Sequence, residues 1–187
     1  MIYPEINYIV FLDLDGVMTS TNYIEYVHKR FTLRGNTKFK YRNFMHKYCF
    51  QEESIEYLNE LYKLKPYGIV LTSTRRGEFK KMEEWNTIFK INGIDAPLIG
   101  RTECSENNIR EQEIIEYNKR CLFKNRPFIV LDDDTYDLKS LKSNLVHIDG
   151  KYGLSPKYLK ISVEKLQSQG VEIMYAKKKQ KKEHEEI

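Results

Sequence analysis

The sequence predicts an α/β fold, a doubly wound and mostly parallel sheet, and two observations carry that prediction. Short apolar runs rich in Val, Ile and Leu recur along the chain, at Tyr8–Leu12, Gly68–Thr72, Pro97–Ile99, Pro127–Leu131 and Leu145–Ile148. Longer amphipathic stretches separate them. Strands that alternate with helices indicate right-handed βαβ units, with helices on both faces of the sheet and ligands at the carboxyl ends of the strands.

In chain order, the first run leads into Asp13, Asp15 and Gly16. The stretch from Met18 to Phe50 fits neither period and is long for a βα connection, which is characteristic of a lid or a substrate contact. It reads as a small insert after the first strand, and two uses stay open for it. Its aromatic residues, Tyr23, Tyr26, Phe31, Phe39, Tyr41 and Phe44, face the core of a lid, or they join Lys29, Arg30, Arg34, Lys38, Lys40, Arg42 and Lys47 in a basic stacking surface for a single strand. Helical spacing then appears at Ile55, Leu58, Leu61 and Tyr62, at Phe79, Met82, Trp85 and Phe89, and at Ile114, Tyr117 and Cys121. A last helix is expected over Pro156–Gln169, with Leu159, Val163 and Leu166 on one face, Pro156 in its first turn and Gly170 as its stop.

At 187 residues the chain is expected to form one domain, residues 1–176, followed by a basic tail over 177–187 with five Lys against three Glu. With 41% apolar and 31% charged residues and a net charge of +4, it reads as soluble and globular. The longest apolar run is too short to span a bilayer, and the N-terminus has no signal-peptide pattern, so a cytoplasmic location is expected. Cys49, Cys104 and Cys121 are odd in number and form no CxxC pair, which argues against a disulfide framework and against a zinc site.

Chemistry concentrates at three strand ends. Ile9-Val10-Phe11-Leu12 runs straight into Asp13-Leu14-Asp15-Gly16, and Phe128-Ile129-Val130-Leu131 runs into Asp132, Asp133 and Asp134, with Asp137 following. Two such ends meeting in one crevice would be costly without a cation. Oxygen ligands with no His or Cys beside them favour Mg²⁺, and a metal-bound phosphate is the natural guest. The third end, Ile69-Val70-Leu71-Thr72-Ser73-Thr74-Arg75-Arg76, offers hydroxyls from Thr72 and Ser73 and charge from Arg75 and Arg76 to a phosphoryl group.

These residues resemble the four motifs of the haloacid dehalogenase superfamily: DxDG after a strand, Thr/Ser after a second, a basic residue, and acids after a later strand. The resemblance implies a HAD-like Rossmannoid fold, Asp13 as nucleophile, Asp15 as acid and then base, and Thr72 (or Ser73) as the phosphoryl-holding hydroxyl. It further implies Asp13, Asp15, Asp132 and Asp133 as the Mg²⁺ set, with Asp137 orienting the site. Arg110 is the expected basic residue and Arg101 its runner-up, in a place where the superfamily usually has Lys. A narrower resemblance, over roughly Tyr8 to Leu166, rests on FLDLDGVM, IVLTSTRR, IGRT with IREQEII, and FIVLDDDTYD with LVHIDGKYGLS. These segments are similar to the phosphatase-type domain of Swiss army knife RNA-repair proteins and to the phosphatase half of polynucleotide kinase-phosphatase. That similarity implies a phosphate on an RNA or DNA end or on a nucleotide as substrate, and Asp149 as a support for the site. The rival expectations are a small-molecule phosphatase or nucleotidase with the insert as lid, and a binding module with a relic site.

Overall fold

A computed structural model of the chain describes residues 5–33, 48–104, 109–122, 124 and 126–175. Among them, five parallel strands form one sheet: β1 (Tyr8–Leu12), β2 (Tyr67–Leu71), β3 (Leu98–Arg101), β4 (Phe128–Asp132) and β5 (Leu145–His147). Their order is β3-β2-β1-β4-β5. The helices are α1 (Thr21–Leu33), α2 (Glu52–Leu64), α3 (Met82–Ile91), α4 (Arg110–Arg120) and α5 (Leu159–Gln167). This is the doubly wound parallel sheet that the sequence predicts. The chain winds outward from β1 to β3, then returns to the other side of β1 with β4, so the direction reverses between β1 and β4. That reversal opens a crevice at their carboxyl ends.

Every residue of β1 is buried, which is why the strand reads as an unbroken apolar run. Tyr8, Val10 and Leu12 face one layer, where they pack with Tyr57, Leu58 and Leu61 of α2, Trp85 and Phe89 of α3, and Val163 and Leu166 of α5. Ile9 and Phe11 face the other, where Ile114 of α4 and Leu138 and Leu141 cover them. Phe11 meets Tyr117 and Phe128 edge-on, with ring centroids 5.9 and 5.4 Å away. Pro97 and Pro127 precede strands and supply carbonyls to Ile69 and Ile9, at 2.8 and 3.0 Å, where no ladder N–H is asked of them.

The structure departs from the sequence expectations at several places. Thr21–Leu33 is a helix inside the stretch that shows no period; of its described side chains only Val27 is buried, too narrow a stripe to read against so many Tyr and Lys. Residues 34–47, which carry most of the basic and aromatic insert, lie outside the described residues, as does the tail over 177–187. A short 3₁₀ turn, Thr74–Gly77, follows β2, and Phe79 precedes α3 rather than opening it. The last helix divides into a 3₁₀ turn at Pro156–Tyr158 and α5, because Pro156 starts the chain turning before the regular ladder begins. No helix among the described residues is long and apolar enough to cross a membrane.

Candidate active site

The parallel register sets the three predicted strand ends side by side. Leu12 pairs with Leu71 on one side and Leu131 on the other, so Asp13, Thr72 and Asp132 emerge at the same level. Ladder-type bonds fix them there: Asp13 N–H donates to Leu131 O and Thr72 N–H to Leu12 O, both at 3.0 Å. Asp13 and Asp132 are buried, and Asp133, the next residue, is half-buried. One carboxylate oxygen from each of Asp13, Asp132 and Asp133 lies within 4.8 Å of the others.

Arg110, the first residue of α4, reaches into this group. It contacts Asp13 Oδ1 at 3.3 Å and forms a close ion pair with Asp132. Asp137 positions it, accepting from the Arg110 backbone N–H at 3.2 Å. Of the two expected basic residues, the structure therefore brings Arg110 to Asp13 and not Arg101, whose guanidinium binds the carbonyls of Arg76, Phe79 and Lys80.

Burial pushes the Asp13 carboxyl up to about 8; Arg110 opposes the shift, and Asp132, Asp15 and Asp133 add to it. Burial also raises Asp132 and Asp133, against the pull of Arg110 on both. Burial works against the charge of Arg110, and Asp13 and Asp132 more than offset it, so its pKa is raised. Three crowded carboxylates facing one guanidinium leave excess negative charge in a poorly solvated place, which a hard cation relieves. The residues thus fit a divalent cation held by oxygen. Asp132 already accepts from Arg110 and from Asp134 N–H, which leaves Asp13 and Asp133 as the freer ligands.

Two glycines clasp Asp133. A Cβ on Gly16 would lie 2.2 Å from Asp133 Oδ2, and one on Gly150 would lie 2.4 Å from the same atom. Gly16 also has φ +78°, a conformation that disfavours other residues. Gly150→Ala is expected to displace the flexible end of Asp133 with little effect on melting temperature, while divalent-cation affinity falls roughly tenfold or more. Calorimetric titration with Mg²⁺ or Mn²⁺ checks it, and an unchanged affinity would show that Asp133 does not hold the cation.

Around this centre the other expected residues take different stations. The carboxylate of Asp15 is not in the metal group: it is 54% exposed, pairs with Arg75 at 3.0 Å, and stands at the mouth of the cleft on a tight Leu14–Thr19 turn. Among the described residues the buried hydroxyl of Thr72 has no hydrogen-bond partner, so it is available to a guest beside Asp13. Ser73 is committed instead to the 3₁₀ turn, accepting from Arg75 N–H. Arg75 is held by Asp15, Glu78 and the ring of Tyr48.

Arg76 corrects a sequence expectation outright. Its five donors go to the carbonyls of Thr102, Thr72 and Ser73, to Cys104 Sγ, and to Glu113 at 2.7 Å, so it ties β2, β3 and α4 together and has no N–H left for a substrate. Asp149 turns its carboxylate to Lys151 N–H, and the support that its loop gives the site comes from Gly150.

The cleft over these residues measures about 550 Å³ and is lined by Asp13, Asp15, Thr19, Thr74, Arg110 and Asp133, among others. Sequence reasoning missed Gly150 and Glu113 as contributors. Glu113 had a legible signal, a carboxylate beside Ile114 on the apolar face of α4. Residues 9–159 match a family model described as "HAD domain in Swiss Army Knife RNA repair proteins". No curated protein and no solved structure matches the chain.

Proposed function

This chain belongs to the family of HAD domains in Swiss Army Knife RNA repair proteins, and on that premise we propose that it is a Mg²⁺-dependent phosphomonoesterase working through an aspartyl-phosphate. Its substrate is a phosphate on an RNA or DNA end, a 3′-phosphate or similar. The observation that carries the reading is the convergence of Asp13, the unpartnered Thr72 hydroxyl, Arg110 and the Asp132–Asp133 pair at adjacent strand ends.

Asp13 attacks phosphorus, and the bond to the leaving oxygen breaks as Asp15 gives that oxygen its proton. Asp15 then takes a proton from a water that attacks the phosphoryl group, which frees inorganic phosphate and restores Asp13. Its exposed place at the cleft mouth suits a residue that must meet first an alcohol and then water. Thr72 and Arg110 donate to the phosphoryl oxygens as charge builds on them. Asp13 and Asp133, with Asp132 beside them, would hold Mg²⁺, which when bound would neutralise charge on the phosphoryl group. Residues 1–176 form the phosphatase domain in this reading, and 177–187 a basic tail.

A panel of end-phosphorylated oligonucleotides, mononucleotides, sugar phosphates and an aryl phosphate, run with Mg²⁺ and with a chelator, tests the proposal. Release is expected only with metal, with strand ends preferred and their binding weakening steeply as salt rises. A preference for the small compounds would overturn the substrate class. Metal-independent release, or none on any compound, would overturn the chemistry.

A further inference from the structure

We propose that Tyr152, with Lys151 and Lys157, forms a stacking platform for the base next to the phosphorylated end of a single strand. This deepens the reading above and rests on it. The starting point is the loop after β5. Gly150 in that loop lines the cleft and lies against Asp133, as the 2.4 Å approach of its virtual Cβ shows. Tyr152 is two residues further on, so its Cα is within about 7.6 Å of the Gly150 Cα. The backbone of Tyr152 is therefore close to the cleft, and its ring lines the hollow beside it.

The loop is built to hold the backbone that carries that ring. Tyr152 N–H and Gly153 N–H both donate to Asp149 O, at 2.9 and 2.8 Å, and Leu154 N–H donates to Val17 O. Gln51 Nε2 donates to Tyr152 O, and Thr21 N–H and Asn22 N–H at the start of α1 hold the carbonyls of Gly150 and Lys151. Gly153 turns with φ +77°. On this support Tyr152 is 50% exposed, a large ring that the core does not use.

Charge favours a nucleic acid as the occupant. The ammonium groups of Lys151 and Lys157 lie 5.5 and 5.7 Å from the Tyr152 ring centroid. An exposed cation–π contact is worth a factor of roughly two to five in an equilibrium. Stacking of a base on an aromatic ring is worth roughly five- to a hundredfold. A base thus displaces a lysine from the ring, and the freed ammonium groups pair with the phosphates that arrive with it. Tyr152 itself lines the neighbouring hollow, together with Tyr23, Tyr26, Gln51, Glu52 and Glu53. The two carboxylates there repel a phosphate backbone, so the phosphates are expected on the side of the ring that Lys151 and Lys157 approach.

The test is binding of a 3′-phosphorylated oligonucleotide with 2-aminopurine as its terminal base, in chelator so that no turnover occurs. The protein is expected to quench the 2-aminopurine, and Tyr152→Ala to lower affinity roughly tenfold and remove the quenching. Tyr152→Phe keeps the ring and is expected to retain both. Lys157→Ala is expected to flatten the salt dependence by about one phosphate contact. Equal affinities for Tyr152→Ala and the unaltered protein would overturn the platform, as would an equal loss on a nucleoside 3′-monophosphate, which would make Tyr152 a contact for nucleotides rather than strands. Turnover of an aryl phosphate separates the two readings. A protein that hydrolyses it but binds no strand refutes the platform and spares the chemistry; one that binds the strand through Tyr152 but hydrolyses nothing refutes the chemistry and spares the platform.

Discussion

Asp13→Asn is expected to remove turnover, lowering kcat by about 10⁴ or more on every phosphate ester, without loosening the fold. The geometry separates the two effects. Asp13 is buried among Asp132 and Asp133, and burial already pushes its carboxyl up to about 8, so its charge is costly to the folded protein. An amide of nearly the same shape removes that cost and keeps an oxygen toward Arg110. It has no oxygen able to form and release a phosphoryl ester. Melting temperature is therefore expected to stay level or to rise while activity vanishes. A large fall in both would make Asp13 a structural residue.

The second large effect is expected on stability. Arg76→Met breaks a buried ion pair in which the side chains are 6% and 3% exposed, takes the guanidinium away from Glu113 and removes a side-chain donor from the carbonyls of Thr72, Ser73 and Thr102, of which Ser73 O keeps the backbone N–H of residue 76. Removing one partner of such a pair costs about 3–5 kcal/mol. For a chain of this size that corresponds to a fall of roughly 10 °C in Tm. Because two of the carbonyls belong to Thr72 and Ser73, the hydroxyl beside Asp13 is expected to lose its fixed place, and kcat to fall with it. A double substitution, Arg76→Met with Glu113→Met, removes the buried carboxylate that the guanidinium balanced and is expected to recover part of the Tm; thermal melts of the single and double variants check this. A Tm within a degree of the unaltered protein for Arg76→Met would show that the clamp contributes nothing.

The strands and the acids at their ends were legible in the sequence for one physical reason. Parallel strands covered on both faces need unbroken apolar runs, and Asp13 and Asp132 stand where β1 and β4 stop being apolar. Thr72 was legible in the same way. What failed depended on contacts that no local pattern records. Arg75 and Arg76 are adjacent and chemically alike, yet one meets Asp15 at the cleft mouth and the other is buried against Glu113. Gly150 reads as an ordinary turn glycine, and only the approach of Asp133 shows why a side chain is excluded there. Helix α1 escaped notice because its buried stripe is narrow, whereas the stripe of α2, with Tyr57, Leu58 and Leu61, is broad.

The central claim is that Asp13, set by β1 among the carboxylates of β4, takes the phosphoryl group itself. Rapid mixing with a phosphate-labelled aryl ester and Mg²⁺, quenched in acid within the first turnover, reads this directly by mass spectrometry of the digested chain. Label on the peptide that carries Asp13, released by hydroxylamine and absent from Asp13→Asn, is the predicted result. Label on another residue, or turnover by Asp13→Asn at the unaltered rate, would contradict it.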